Sequence, residues 1–162
     1  MRIKKNYLLH NNKKYKCAIG CNGFSSTKKE GDGCTPSGIF HIEAVYYRKD
    51  KIKTLNCAFE KFVIDILDGW CDEANHPQYN QKIRFPFSHS AERLHRNDNL
   101  YDLLCVLDFN QNPVVSGMGS AIFIHIAPPN YEPTEGCIAL KKEDLLAILK
   151  NIKKDEKIII NP

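Results

Sequence analysis

The chain has 162 residues, 43% hydrophobic and 26% charged, a balance with which one globular domain can bury a continuous core. Its net charge of +4 comes from scattered lysines and arginines, which suits an anionic partner but gives no basic tract of the kind that would point to nucleic acid. No apolar run is long enough to span a bilayer, and an odd set of cysteines (Cys17, Cys21, Cys34, Cys57, Cys71, Cys105, Cys137) at irregular spacing argues against a disulfide framework and for free thiols in a reducing compartment.

The opening MRIKKNYLLHNNKKYKCAIG is basic but lacks an apolar signal core and a small-residue cleavage site. The expected compartment is therefore the cytoplasm, while a leader removed ahead of Met1 would place the protein in the periplasm or cell envelope. Residues 15–19 read as a short strand ending at Gly20, and NGFSSTKKEGDGC after it as a polar, glycine-rich surface loop. Its Lys28, Lys29, Glu30, Gly31 and Gly33 lack the Gly-Lys-Ser/Thr ending of a phosphate loop. In TPSGIFHIEAVYY the alternation of Phe40, Ile42, Ala44 and Tyr46 predicts one strand with these four on one face. Residues 62–67 are a further strand candidate. The long stretch DGWCDEANHPQYNQKIRFPFSHSAERLHRNDNLYD shows little periodicity and is expected to be irregular and functional.

Residues 103–109 form a near-continuous apolar run, expected as a central strand, with Tyr101 and Asp102 as structural residues at its entry. Residues 122–126 predict a strand with Ile122, Ile124 and Ile126 on one face and Phe123 and His125 on the other. The one clear helix follows residue 140: Leu145, Ile148, Leu149 and Ile152 recur at helical spacing, with Glu143 and Asp144 in the first turn and Lys150, Lys153 and Lys154 at the far end. KIIINP closes the chain as a buried strand. The expected fold class is mainly β, a β-rich α+β arrangement, and residues 1–162 form a single domain without repeats or a linker.

Chemistry concentrates in IFIHIAPPNYEPTEGCIAL. A cysteine attacks as its thiolate, so it needs a proton acceptor and donors for the developing oxyanion. His125 at a strand end supplies a base and Cys137 a nucleophile; the amides around Gly136 and Cys137 supply oxyanion donors and Thr134 a supporting hydroxyl. Spacing alone leaves open that both are ordinary buried residues. Arg93 and Arg96 are candidates to clamp a substrate carboxylate, and Trp70 and Tyr79 to wall the cleft.

With the histidine ahead of the cysteine, the order His125, Thr134, Gly136, Cys137 resembles the L,D-transpeptidase catalytic domain, the YkuD type. Thr35, Pro36, Gly38 and Phe40 match its strand entry. GWCDEANHPQYN, ERLHRNDNLYDLLCVLDFN and GMGSAIFIH resemble its small members, so the likeness runs from about Cys17 to Leu149. Many members carry a histidine where this chain has Glu135 and an arginine where it has Ala139. The resemblance implies a mixed β-sheet sandwich or barrel with no cofactor. It also implies attack by Cys137 on the bond between the third residue and the terminal D-alanine of a peptidoglycan tetrapeptide stem, with His125 as base and then acid. The resulting thioester would go to an amine acceptor, giving L,D-transpeptidation, or to water, giving an L,D-carboxypeptidase of cytoplasmic murein recycling.

Two other classes compete. A silent wall-peptide-binding module would keep the fold without turnover, which Glu135 and Ala139 leave open. A redox or metal protein would use its thiols; Cys17, Cys21, Cys34 and Cys71 with His41 or His76 could contribute ligands, but no CxxC or His-x3-His spacing is present, and no metal is expected.

Overall fold

The computed structural model describes residues 1–161. In chain order its strands are β1 (Arg2–Lys4), β2 (Tyr7–His10), β3 (Lys13–Ala18), β4 (Phe24–Ser25), β5 (Thr35–Pro36), β6 (Gly38–Phe40), β7 (Ile42–Tyr47) and β8 (Lys61–Val63). They continue as β9 (Asp68–Cys71), β10 (Lys82–Arg84), β11 (Ala91–Arg93), β12 (Leu103–Leu107), β13 (Phe123–Ile126) and β14 (Ile138–Leu140). Helix α1 (Lys142–Asn151) and β15 (Ile158–Ile160) complete the chain. The mainly β expectation holds, with one helix among the described residues.

Ten strands form one mixed sheet in the order β6-β15-β1-β2-β3-β14-β13-β12-β7-β8. Strands β6 and β7 stand first and ninth in that order, yet His41 alone separates them in sequence. One residue spans only about 4 Å, so the sheet must curl until its two ends nearly meet. On one face, Ile124, Ile126, Ile138 and Leu140 pack with Leu145, Ile148 and Leu149 of α1 in the main apolar core. Full burial of each such side chain contributes about 2 kcal/mol. The opposite face carries a second cluster in which Phe123 and Cys137 meet Trp70, Leu94 and Tyr101.

Three sequence expectations are corrected. Phe40, Ile42, Ala44 and Tyr46 do not share a face: the ladder of β7 with β12 pairs Ala44 with Val106 but Ile42 with Leu107, skipping Glu43. This bulge adds one residue and turns Ile42 into the main core, while Ala44 and Tyr46 pack in the second cluster. Residues 62–67 contribute only the end of the short β8. The stretch from residue 68 to 102 is not structureless, for it holds an antiparallel sheet in the order β10-β9-β11. Strands of three or four residues between turn-formers are too short to produce a countable period.

Candidate active site

Strands β13 and β14 are parallel neighbours, pairing Ile124 with Ile138 and His125 with Ala139. Alternation turns Ile124, Ile126, Ile138 and Leu140 into the core and leaves Phe123, His125, Cys137 and Ala139 on the other face. A parallel pair requires a crossover, and here it is the proline-containing segment from residue 127 to 137. It is pinned at both ends. The Ala127 amide donates to Leu140 O at 2.7 Å, the Thr134 amide to Ile19 O at 3.0 Å, and the Cys21 amide to Thr134 O at 2.8 Å.

His125 is 5% exposed, and its Nδ1 lies 2.9 Å from the Ile126 carbonyl. A carbonyl only accepts, so Nδ1 carries the proton and Nε2 of the neutral ring is left as a proton acceptor. Burial pulls the imidazole down to about 4, which keeps it neutral at ordinary pH. The Tyr101 ring meets it edge-on, with centroids 5.1 Å apart.

The Cys137 thiol donates to Ala121 O at 3.1 Å and accepts from the Phe123 amide at 3.3 Å. Burial, reinforced by the charge of Glu92, pushes the thiol up to about 12 against the opposing Phe123 amide and Lys28. The resting pair is therefore a neutral thiol and a neutral imidazole. Ala121 holds its carbonyl toward the sulfur with φ 51°, a left-handed conformation uncommon for alanine.

The turn before the cysteine is held by Thr134, whose hydroxyl donates to Cys137 O at 2.6 Å and accepts from the Gly136 amide at 3.2 Å. Gly136 has φ 146°, and a Cβ there would stand 2.8 Å from Cys34 O. Glycine is thus required by both conformation and space. Glu135 is exposed beside it on the cleft rim.

His125, Thr134, Gly136 and Cys137 all border one cleft of about 550 Å³. Of the other expected residues, Arg96 lines this cleft, with its Nε 3.0 Å from both Asp98 carboxylate oxygens, Glu92 at 3.6 Å, and its guanidinium over Tyr101. Arg93 lies away from the cleft lining and stacks on Phe85 at 4.1 Å. Trp70 and Tyr79 are buried behind the walls rather than on them. The Trp70 ring meets Phe123 edge-on at 5.2 Å and its Nε1 donates to Asn80 at 3.0 Å. The Tyr79 hydroxyl donates to Glu30 and accepts from the Gly119 amide at 3.0 Å.

Sequence reasoning misses several cleft residues, among them Lys28, Glu30, Asp72, Glu92, Tyr101 and Ser120. Tyr101, expected to be purely structural, donates to Glu92 at 2.7 Å and touches the His125 ring. Burial raises the Glu92 carboxyl. The only local signal for Lys28 is its spacing of four residues from Asp32, to which it is bonded. Among the described residues no three His, Cys, Asp or Glu side chains gather as metal ligands, and no helix is long and apolar enough to cross a membrane.

A family model described as the L,D-transpeptidase catalytic domain, YkuD, matches residues 4–160. No curated protein matches the chain.

Proposed function

The chain belongs to the L,D-transpeptidase catalytic domain family, a cysteine-dependent class acting on peptidoglycan peptides, and from that premise we propose that it is a Cys137 acyltransferase at the L,D bond of a tetrapeptide stem. The observation that carries this reading is that Cys137 and a neutral His125 border the same cleft, the imidazole having its accepting nitrogen unprotonated. As the sulfur attacks the carbonyl carbon of the stem's third residue, the thiol proton passes to His125 Nε2 and the carbonyl π electrons move onto oxygen. Collapse of this intermediate breaks the C–N bond. The D-alanine amine leaves with the proton returned by His125, and the thioester remains.

An amine of a second stem then attacks the thioester, with His125 accepting its proton and Cys137 leaving as the thiol. Because both groups are neutral at rest, proton transfer accompanies attack instead of preceding it. The burial that raises the thiol also shields the thioester from bulk water. Transpeptidation is the leading reading, and hydrolysis by water at the same step gives the L,D-carboxypeptidase.

The test is to incubate the protein with a disaccharide-tetrapeptide, with and without an amine acceptor, and follow products and intact protein by mass spectrometry. Loss of one D-alanine that disappears in Cys137→Ala, with an acyl adduct on the wild-type chain, is the expected result. Cross-linked dimer marks transpeptidation, tripeptide alone marks hydrolysis, and no turnover under either condition sinks the enzyme reading in favour of a silent wall-peptide-binding module.

A further inference from the structure

Lys28 sits in a polar loop, yet it is only 4% exposed. Its side chain runs through a slot made by two glycines. A Cβ on Gly119 would stand 3.1 Å from Lys28 Cε and 3.2 Å from its Cγ, and one on Gly136 would stand 3.3 Å from Nζ. Both glycines have positive φ, 103° and 146°, so slot and backbone conformation are specified together. The slot delivers an ammonium to the cleft beside the residue that precedes Cys137.

That ammonium is fixed but not saturated. Asp32 Oδ1 takes one N–H at 2.6 Å and Lys29 O a weaker one at 3.4 Å, which leaves one of its three donors. Asp32 is itself anchored by the Lys29 and Cys34 amides at 2.8 and 2.9 Å. These bonds hold its carboxyl below the usual range although burial works the other way. The other cation lining the cleft, Arg96, has its guanidinium occupied by Asp98 and Glu92. Position 139, beside His125, is alanine and supplies no charge.

The residue expelled in the proposed reaction carries a carboxylate roughly 4 Å from the carbonyl carbon that Cys137 attacks. A cation placed next to Gly136 is within reach of it. We propose that the Lys28 ammonium is the seat of the donor stem's terminal carboxylate, making Lys28 a specificity-determining residue that restricts the enzyme to stems ending in a free carboxylate. This rests on the acyl-transfer reading above. The alternative, that Lys28 chiefly stabilises a thiolate, fits poorly with the sulfur's hydrogen bonds, which run to the Ala121 carbonyl and the Phe123 amide.

The experiment compares a tetrapeptide stem with its C-terminal carboxamide in the wild type, Lys28→Met and Lys28→Arg, reading kcat/KM and thermal melting. The wild type should prefer the carboxylate by roughly tenfold or more, the range of a charge-assisted hydrogen bond. Lys28→Met should bring the two substrates to within about threefold of each other, chiefly by losing activity on the carboxylate, and Lys28→Arg should recover part of the preference. A wild type that turns over both equally overturns the assignment, as does a folded Lys28→Met that loses both in parallel. A wild type inactive on both substrates overturns the acyl-transfer reading and the assignment with it.

Discussion

Strands β13 and β14 present two faces with opposite requirements. Toward α1, Ile124, Ile126, Ile138 and Leu140 make a surface with no polar atom to satisfy. Toward the cleft, His125 and Cys137 are also buried, yet each has polar partners: the Ile126 carbonyl for one, the Ala121 carbonyl and Phe123 amide for the other. Burial is therefore not what separates core from site. The difference lies in whether a buried polar group has been given a partner that leaves one atom free to react. Two cysteines show this clearly. Burial raises the thiols of both Cys105 and Cys137, but Cys105 lies wholly within the apolar cluster and Cys137 borders the cleft.

Adjacent residues on β13 give the sharpest way to break this contrast. His125→Ala should cost roughly 10²–10⁴-fold in turnover with the fold retained, measured as kcat on the tetrapeptide with circular dichroism alongside. Ile124→Val should cost about 1 kcal/mol in urea unfolding and leave kcat unchanged. If both variants lose mainly stability, the two faces are not distinct. A smaller effect is expected in pH. Folding keeps His125 neutral by lowering its pKa, so the base form persists to about 4. The acid limb of kcat/KM should then fall near pH 4, not at the free histidine value of about 6.5. The same shift makes the fold lose stability as pH falls through this window, because protonation favours the unfolded chain. A limb at the free value would place His125 in contact with water. The mildest test is alkylation: at pH 8 the exposed Cys21 should react before Cys137, and Cys105 last, read by peptide mass mapping.

What could be read from sequence was whatever repeats locally. The alternation of β13 and the helical spacing of Leu145, Ile148 and Leu149 are signals carried by neighbours, and the structure bears out both. The order His125, Thr134, Gly136, Cys137 was also legible, and the cleft gathers all four. The bulge at Glu43 was not, because it exists only relative to β12. Nor was the small sheet of β9, β10 and β11, whose strands are shorter than any period that could announce them. Lys28 escaped for a related reason: its burial is made by Gly119 and Gly136, far along the chain. Trp70 and Tyr79 illustrate the reverse, since aromatic character marked them for the cleft while their hydrogen bonds to Asn80 and Glu30 hold them one layer behind it.

The crossover between β13 and β14 is clamped at Ala127 by Leu140 and at Thr134 by Ile19 and Cys21. A segment tied at both ends can change length between its ties without disturbing the register beyond them. Residues 128–133 are thus a tunable visor: lengthening or trimming them would reshape the cleft mouth while the His125–Ala139 pairing stays in place. The fold in this way separates the segment at the cleft edge from the paired strands that carry His125 and Ala139, and lets the first vary at little cost to the second.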